Sequence, residues 1–539
     1  MPANYIPFKE TGYFSTLICD YLDQYEPLRE LYGQFPGIEE FGKQLEEKKE
    51  SYTAGQREVL VTSLRAQYAD IQLTDPTANH LDLLENKNTF TIVTGHQLNL
   101  FTGPLYFLYK IISTINLCKR LKQAYPENNF VPVYWMATED HDFEEINYFN
   151  YKGKKFQWQG PENAVDNNAG AVGRIETNGL EEVFELFNLE LGQGKAADTL
   201  RELFTKAYLQ GYTLSKATRL LVNELFGNEG LVILDGDDAK LKSLFIPVME
   251  KELKENFVSE NVAESNAKLN DIDGSYKIQV NPREINLFYL DEGLRERIIE
   301  TENKFLVNNS DLEYSKEELL DLLHTSPEKF SPNVLMRPMF QEVILPNLCY
   351  IGGGGELAYW LQLKKAFHAA SLVFPVLLLR NSVLIKEGKQ AEKLEKLHIS
   401  DRQLFLNNHS FINKKVREIS DIDIDFTPQR ELLKEQFRSM YELAEKTDAS
   451  FLGAVKAQEV KQLKGLDHLE KRLLKAQKRK LSDEVNRMMD LRNALFPGDS
   501  LQERTANFSE FYETFEDALI PTLLQELDPL RADFVVLTL

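Results

Sequence analysis

The feature that most constrains the fold of this chain is a strand–helix–strand pattern between residues 91 and 137. A β-branched run at 91–94 is followed by apolar residues at helical spacing through 105–124 and by a second apolar run at 131–137. Strands that are apolar along their whole length are buried on both faces, which is typical of parallel sheets covered by helices. The pattern therefore predicts a βαβ unit in an α/β core.

The parallel sheet is predicted to take its other strands from distant segments. Further buried strands are predicted from three apolar runs: 231–234, 343–351 (interrupted by Pro346) and 372–379. The sequence at about 150–210 is rich in Gly, Asn and charge, and 251–330 mixes helical segments with a predicted strand at 276–280. We interpret both as insertions between the strands of the core.

The character of the sequence changes at residue 385, where Gly and Pro become rare and Lys, Glu, Leu and Gln dominate. Apolar residues between 452 and 488 keep a three–four spacing, which predicts a long helix packed as a coiled coil. We therefore predict a core at 1–384, an α-helical coiled-coil domain at 385–496 and a C-terminal segment at 497–539 that packs back on the core.

The amino-acid composition limits the binding partners and the cellular compartment that we expect for this protein. The 539 residues include 62 Lys plus Arg against 84 Asp plus Glu, a formal net charge of −22. Because binding to nucleic acid or to an anionic membrane needs a basic surface, we expect neither partner. The chain has 3 cysteines, an amino terminus without the pattern of a secretion signal, and no apolar run long enough to span a bilayer. These features predict a cytoplasmic protein.

The first candidate site segment follows the first core strand. It contains Gly95, His96, Gln97, Asn99 and Thr102 and ends at a Gly-Pro pair. In open α/β sheets, ligands bind beyond the carboxyl ends of the strands, so a polar loop at this position predicts a site. His96 could donate a hydrogen bond to a carboxyl or phosphoryl oxygen, or transfer a proton. The alternative is an ordinary turn at the end of a strand.

The second candidate segment follows the second core strand and contains Glu139, Asp140, His141, Asp142 and Glu144. Clustered carboxylates repel one another, so the cluster indicates a function: binding an ammonium group, holding a divalent metal, or supplying a general base. The alternative is a solvated loop in which Asp142 caps the next helix and Glu145 completes a capping box.

The third candidate segment combines Arg337 with a glycine run and the residues after it. Arg337 offers a planar fork for a carboxylate or a phosphate. The loop that contains Gly352, Gly353, Gly354 and Gly355 could approach a nucleotide closely, although it matches no established phosphate-binding motif. Lys110, Arg380 and Asn381 are further candidate contacts for an anion.

These segments together resemble the BshC family, the cysteine-adding ligases of bacillithiol biosynthesis. The residues that carry the resemblance are 94–106, 139–147, 333–338, Gly352-Gly353, 356–360 and Leu501-Gln502-Glu503-Arg504. The resemblance implies a Rossmann-like core similar to class I aminoacyl-tRNA synthetases, with connective insertions and a C-terminal α-helical coiled coil that forms a homodimer. The implied reaction joins the carboxyl of L-cysteine to the amine of glucosaminyl-malate.

In the light of the resemblance, the candidate residues receive roles. The catalytic set is His96, Asp140, His141 and Asp142. The substrate-binding set is Gly95, Gln97, Asn99, Thr102, Glu139, Glu144, Arg337, Glu356, Tyr359 and Trp360. The cofactor-binding set is Gly352, Gly353, Gly354 and Gly355, and no resident metal is expected.

The energy source stays open at this point. The Gly95-His96 loop is similar to the His-Ile-Gly-His loop of the synthetases, but it has one histidine, and no Lys-Met-Ser-Lys-Ser counterpart is evident. ATP, with Mg²⁺ if ATP is used, is the cofactor considered.

Two other classes of function also stay open. One is a metal-dependent hydrolase or transferase with His96, Asp140, His141 and Glu144 as ligands. The other is a non-catalytic coiled-coil scaffold.

Overall fold

The computed structural model describes residues 3–161, 170–302 and 304–539. Residues 162–169, which belong to the predicted insertion at about 150–210, and residue 303, in the second insertion, lie outside the described part. The described chain forms two compact units. One contains residues 3–384 and 502–536, and the other contains residues 385–501 and 537–539.

The strands lie almost entirely in the first unit. In chain order they are β1 (Ala3–Pro7), β2 (Thr89–His96), β3 (Asn129–Met136), β4 (Tyr148–Tyr151), β5 (Lys154–Gln157), β6 (Val232–Asp235), β7 (Leu287–Asp291), β8 (Leu294–Glu300), β9 (Phe305–Val307), β10 (Glu313–Tyr314), β11 (Phe330–Pro332), β12 (Asn347–Gly352), β13 (Val376–Leu379), β14 (Val383–Lys386) and β15 (Asp533–Thr538).

The helices alternate with these strands in the first unit and make up nearly all of the second. Before residue 385 they are α1 (Phe8–Thr11), α2 (Thr16–Leu22), α3 (Ile38–Ser51), α4 (Ala54–Gln67), α5 (Asp75–Leu83), α6 (Tyr106–Ala124), α7 (Phe143–Ile146), α8 (Leu180–Glu190), α9 (Lys195–Tyr208), α10 (Leu214–Phe226), α11 (Ala239–Glu255), α12 (Phe257–Ile272), α13 (Lys316–Thr325), α14 (Arg337–Ile344), α15 (Gly354–Trp360) and α16 (Lys364–Ala369). After it they are α17 (Gly388–Lys396), α18 (Asp401–Leu404), α19 (Asn408–Ile419), α20 (Thr427–Ala444), α21 (Ala449–Lys480), α22 (Ser482–Leu495), α23 (Gln502–Thr505), α24 (Phe508–Phe515) and α25 (Leu519–Glu526).

The predicted parallel core is confirmed. Its five strands have the order β13-β12-β2-β3-β6, and each neighbouring pair is parallel. Every residue of β2 is buried, and so are nearly all of those of β3 and β12. One face of the sheet packs Phe90, Ile92 and Ile351 against Leu117 and Leu121 of α6, in a cluster that excludes water. Burial of apolar surface of this extent is the main stabilising contribution to the core.

Two predicted strands are shorter than expected. In 343–351, the first two residues end α14, Leu345 and Pro346 connect the helix to the strand, and the strand begins at Asn347. Pro346 cannot donate to a ladder, but its carbonyl accepts a hydrogen bond from the Thr91 N–H at 2.9 Å. In 372–379, only Val376–Leu379 is a strand. The Phe374 carbonyl before it accepts from the side chain of Gln44 at 3.1 Å instead of from a neighbouring strand.

The predicted strand at 276–280 is wrong, because this segment is irregular. The side chain of Gln362 replaces a partner strand. Its oxygen accepts from the N–H groups of Gln279 and Val280, both at 3.2 Å, and its amide donates to the Val280 carbonyl at 2.7 Å. The described part of the second insertion instead contains an antiparallel sheet with the order β10-β9-β8-β7-β11.

In the second unit, α20 and α21 pack side by side in opposite directions. Phe437, Ala444 and Val455 form a small apolar cluster between them. Ion pairs extend the contact, and Arg430 contacts both Asp467 and Glu470. The predicted long helix is interrupted at Leu481, which lies between α21 and α22. In the part of the chain that the structure describes, no helix combines the length and the apolar character needed to cross a membrane.

Candidate active site

The carboxyl ends of the five core strands meet at one edge of the sheet. In the strand register, His96 pairs with Met136, Met136 with Asp235, and Gly352 with Leu379. The loops that follow these strands contain the three segments identified in the sequence. The fold thus brings together the loop after β2, the acidic cluster after β3 and the glycine run after β12.

His96 is the last residue of β2, and its side chain is buried between Tyr106 and Phe107, with ring centroids at 5.4 and 5.2 Å. Its Nε2 atom has no hydrogen-bond partner within the described residues. Burial, together with the positive charges of Lys110 and Arg380, lowers the pKa of His96 well below its usual range. The imidazole is therefore neutral at pH 7.

Lys110 connects the end of β2 with α15. It lies on α6 and is 4% exposed, and its ammonium group donates to the Gly95 carbonyl at 2.7 Å and contacts the Glu356 carboxylate at 2.7 Å. Glu356 also accepts from the Tyr350 hydroxyl at 2.6 Å and from the Gly353 N–H at 2.9 Å. Burial would raise the pKa of Glu356, but Lys110 and these hydrogen bonds outweigh it and lower the pKa.

Arg337 lies at the start of α14, between two aromatic rings. Its guanidinium carbon is 5.6 Å from the ring centroids of both Trp135 and Tyr350. One terminal nitrogen, Nη1, donates to Gln341 at 3.1 Å, whereas Nη2 is buried without a partner among the described residues. Gly95 lies close by, because a Cβ atom placed there would be 3.8 Å from Arg337 Nη1. Arg337 therefore presents a free donor next to the loop that follows β2.

Arg380, which follows β13, is the second guanidinium at this edge. It is 4% exposed and forms an ion pair with Glu503 at 2.8 Å. Its Nη1 atom donates to the Asn381 carbonyl and to Ser382, and its guanidinium carbon is 4.9 Å from the centroid of Tyr106. The Nε atom has no partner among the described residues.

The loop after His96 connects the basic group to the acidic cluster. Gln97 donates to Asp140 at 2.9 Å and to Glu145 at 2.8 Å, and Asn99 donates to the Glu145 carbonyl at 3.1 Å. Thr102 has a positive φ of 69°. Its hydroxyl and the Asn99 side-chain oxygen are buried without partners among the described residues.

Asp140 is a carboxylate of the acidic cluster that neighbouring residues fix by hydrogen bonds. Burial would raise its pKa, but hydrogen bonds from the backbone N–H of His141 and from Gln97, together with the charge of Arg295, outweigh it, so the pKa of Asp140 is well below its usual range. Asp142 accepts from the Glu145 N–H at 3.3 Å and caps α7. The predicted cap is thus present, but the Glu145 carboxylate contacts Gln97 rather than completing a capping box.

His141 is partly exposed and contacts a residue that the sequence did not reveal. Its Nδ1 atom lies 2.9 Å from Nη1 of Arg295 and 3.6 Å from the Asp140 carboxylate. Arginine has no acceptor and stays charged, so Nδ1 of a neutral His141 must accept this bond. The ring proton is then on Nε2, and His141 offers a donor rather than a basic nitrogen to the site.

The remaining predicted residues differ in how the structure uses them. One carboxylate oxygen of Glu139 contacts the buried ammonium group of Lys242 at 2.7 Å. Glu144 is exposed on α7. Trp360 is fully buried and stacks on Tyr350 with ring centroids at 4.5 Å. Burial raises the pKa of Tyr359, and the positive charge of Arg337 opposes this shift.

The glycine loop has an internal acceptor at its start. The Gly353 N–H already donates to Glu356, so this amide is not free for a phosphate. Gly352 is tightly packed, because a Cβ atom there would lie 2.9 Å from both Leu357 and Tyr350. Gly354 and Gly355 begin α15, and Gly355 faces open space.

From the sequence, Lys110 and Arg380 were only secondary candidates for contact with an anion. Arg295, Lys242 and Tyr350 were not identified at all. Arg295 and Lys242 lie far along the chain, on β8 and α11, and no motif marks them. The described residues contain no group of three or more His, Cys, Asp and Glu side chains that could hold a metal ion. The ligand set considered for a metal-dependent enzyme is not assembled, because His96 is buried between aromatic rings and His141 contacts Arg295.

The neutral state of His96 predicts a dependence of stability on pH. The unfolded chain takes up a proton at this histidine before the folded protein does, so the stabilisation is complete above pH about 6.5 and is lost as the pH falls. We expect the free energy of unfolding of H96Q to fall less steeply below that pH, by up to about 1.4 kcal/mol per pH unit. Urea unfolding at pH 7 and pH 5 measures the difference. H324Q, at an exposed histidine, should retain the wild-type slope, and a wild-type slope in H96Q would contradict the assignment.

Comparison with known proteins places these features in a family. Residues 1–381 match the model of the N-terminal Rossmann-like domain of bacillithiol biosynthesis BshC, and residues 383–539 match that of its C-terminal coiled-coil domain. A solved structure from Campylobacter jejuni, described as a "putative arginyl t-RNA synthetase", aligns with 81% of this chain and 92% of its own at 11% identity and a TM-score of 0.20, which is too low to carry an argument.

Relatives that bear the name "Putative cysteine ligase BshC" match over the full length. The protein of Christiangramia forsetii is 59% identical over 100% of this chain and 99% of its own. The protein of Flavobacterium johnsoniae is 55% identical over 100% of both chains. The chain therefore belongs to the BshC family of bacillithiol biosynthesis.

Proposed function

We propose that this protein is an amide-forming ligase that joins the carboxyl of L-cysteine to the amine of glucosaminyl-malate, the last step of bacillithiol biosynthesis. One observation carries the proposal: three buried nitrogen atoms without partners among the described residues, His96 Nε2, Arg337 Nη2 and Arg380 Nε, lie at the same edge of the sheet. Buried donors without partners are costly, so their presence indicates an anionic ligand. A malate group offers two carboxylates, and the names of the relatives supply the cysteine.

We expect the basic and the acidic residues of this edge to bind different groups of the substrates. Arg337 would bind a carboxylate of the malate group, for which its planar fork is suited. His96, which is neutral, would donate from Nε2 to the oxygen of the activated cysteine carboxyl. Gly95, Asn99, Thr102 and Tyr359 would line the space between them.

The acidic cluster would hold the amine. Asp140 stays ionised because its pKa is held well below its usual range, so it would accept a hydrogen bond from the substrate ammonium group and orient it. Asp142, which already caps a helix, and His141 would complete the hydrogen bonding, and Gln97 keeps Asp140 in place. Asp142 would take a proton from the ammonium group, and the freed nitrogen would attack the carboxyl carbon.

Formation of the amide needs an activated carboxyl, because a free carboxylate does not react with an amine. We propose ATP, with Mg²⁺, as the activating reagent. The cysteine carboxylate would attack the α-phosphorus of ATP with release of pyrophosphate, or the γ-phosphorus with release of ADP, and the amine would then displace AMP or phosphate from the activated carboxyl. Gly354 and Gly355, at the open start of α15, would lie nearest to the nucleotide. The three free cysteines of the chain, all buried, support a reducing, cytoplasmic location and leave the reacting thiol to the substrate.

The direct test mixes the protein with L-cysteine and glucosaminyl-malate, with and without ATP, and follows the product by mass spectrometry. The proposal expects the mass of the amide to appear only with ATP, together with AMP if the intermediate is an adenylate or ADP if it is an acyl phosphate. No product under any condition would contradict the ligase proposal and favour a non-catalytic scaffold.

Arg337 gives the proposal a specific consequence. R337K keeps the charge but loses the planar fork, so we expect the KM for glucosaminyl-malate to rise about tenfold or more, with little change in the KM for cysteine. Initial rates at varied concentrations of each substrate measure both constants. R65K, in a surface ion pair with Asp82, is the matched control and should behave like the wild type. An equal rise in the KM values for both substrates would contradict the assignment of Arg337 to the malate site.

We also propose that the helical unit forms a homodimer. Leu432, Leu443 and Leu469 on α20 and α21 are 67%, 61% and 53% exposed in the single chain. Large apolar side chains at this density on a helical pair are typical of a surface that binds another protein, and the family resemblance supports a second copy as that partner.

The double variant L443E/L469E tests this interface. Charged groups placed against an apolar partner surface are unfavourable, so we expect the wild type to have the mass of a dimer and the variant that of a monomer, measured by light scattering after size-exclusion chromatography. L189E, at an exposed leucine of the other unit, should leave the mass unchanged. A wild-type mass for the double variant, or a monomeric wild type, would contradict the proposal.

A further inference from the structure

The string Leu501-Gln502-Glu503-Arg504 has no role in the proposed reaction, yet Glu503 contacts the site directly. It is fully buried. One carboxylate oxygen accepts from Arg380 Nη2 at 2.8 Å, and the other accepts from the Val383 N–H at 3.0 Å. A buried carboxylate held by two donors has a fixed geometry.

This contact determines which part of Arg380 remains available. Nη2 is taken by Glu503, and Nη1 donates to the Asn381 carbonyl at 2.9 Å and to Ser382 at 3.1 Å. Only Nε remains without a partner among the described residues. It faces the turn after β12, because a Cβ atom at Gly353 would lie 3.8 Å from it. Glu503 thus orients the guanidinium so that its Nε–H is directed to the edge of the sheet.

Asn507, four residues further along, holds the other side of the site. It is fully buried, and its amide donates to the carbonyls of Phe101 at 2.8 Å and Gly103 at 2.6 Å. The Ala506 carbonyl accepts from the Leu105 N–H at 2.8 Å. The Asn507 oxygen is fixed in turn by Ser509, from its N–H at 3.0 Å and its hydroxyl at 2.7 Å.

The loop that Asn507 contacts has a backbone conformation that needs support. Phe101 and Thr102 have φ values of 48° and 69°, in the left-handed region that residues other than glycine rarely adopt. The chain turns sharply here and returns to α6, which carries Lys110. Without the donors from Asn507, the two carbonyls would lose their buried partners, and the turn at Phe101–Gly103 would lose two of the hydrogen bonds that hold it.

We propose that Glu503 and Asn507 are positioning residues of the ligase site. Glu503 directs Arg380 Nε toward a carboxylate of the bound substrate, and Asn507 fixes the loop that follows His96. This inference rests on the proposed function for the identity of the anion. The contacts of the segment 502–507 with the loop and with Arg380 do not depend on it.

The test of Glu503 measures binding and turnover separately. In E503Q the charge that holds Arg380 is lost, so we expect the dissociation constant and the KM of glucosaminyl-malate to rise about tenfold, while kcat changes by less than about threefold. Calorimetric titration gives the first constant without any turnover. The matched control is E252Q, an equally buried carboxylate whose partners are Asn286 and Val258. It should leave both constants unchanged even where it lowers stability.

The test of Asn507 is hydrogen exchange of the amides in residues 97–105. N507D keeps the acceptor for Ser509 but loses the donors to Phe101 and Gly103, so we expect exchange in this loop to become about tenfold faster than in the wild type and in E252Q. Exchange at the wild-type rate in N507D would overturn the role of Asn507.

Three outcomes would overturn the role of Glu503: a tenfold weaker affinity for glucosaminyl-malate in E252Q as well, an unchanged affinity in E503Q, or an absence of binding to the wild type. Binding without product formation would contradict the ligase proposal alone.

Discussion

The candidate site depends on a buried ammonium group. Lys110 projects from α6 and makes contacts of 2.7 Å to the Gly95 carbonyl and to Glu356. One side chain thus connects the end of β2 with the helix after β12. An isolated buried charge would be very unfavourable, and Glu356 compensates for it while also holding Tyr350 and the Gly353 amide. Loss of either partner would leave a buried charge at the centre of the edge.

The distribution of charge at this edge is the opposite of the charge of the whole chain. The protein carries a formal charge of −22, yet Lys110, Arg337 and Arg380 lie together at the ends of β2, β12 and β13, and the acidic side chains lie after β3. A substrate with carboxylates at one end and an amine at the other fits this division. We expect nucleic acid to be a poor ligand, because the net negative charge of the chain would repel its phosphates.

Much of the fold could be predicted from the sequence, because buried parallel strands are apolar along their length and helices have their own period. The failures have a common cause. At 276–280 and before Val376, side chains of Gln362 and Gln44 satisfy backbone groups that a local pattern assigns to a strand. Pro346 similarly divides a helix from a strand within one apolar run.

The site could be predicted in part for the same kind of reason. Segments that follow core strands were found because topology places them at one edge. The partners that determine their chemistry were not found, since Arg295 and Lys242 reach the edge from distant parts of the chain and no motif marks them. His141 shows the consequence: the sequence suggested a base, but the contact with Arg295 makes its Nδ1 an acceptor for a permanent charge.

The most direct measurement of the central claim is a crystal structure of the protein with glucosaminyl-malate bound. The account predicts the malate carboxylates within hydrogen-bond distance of Arg337 Nη2 and Arg380 Nε, and the amine within that distance of Asp140. Density for the ligand away from the carboxyl ends of the core strands, with these nitrogen atoms still without partners, would contradict it.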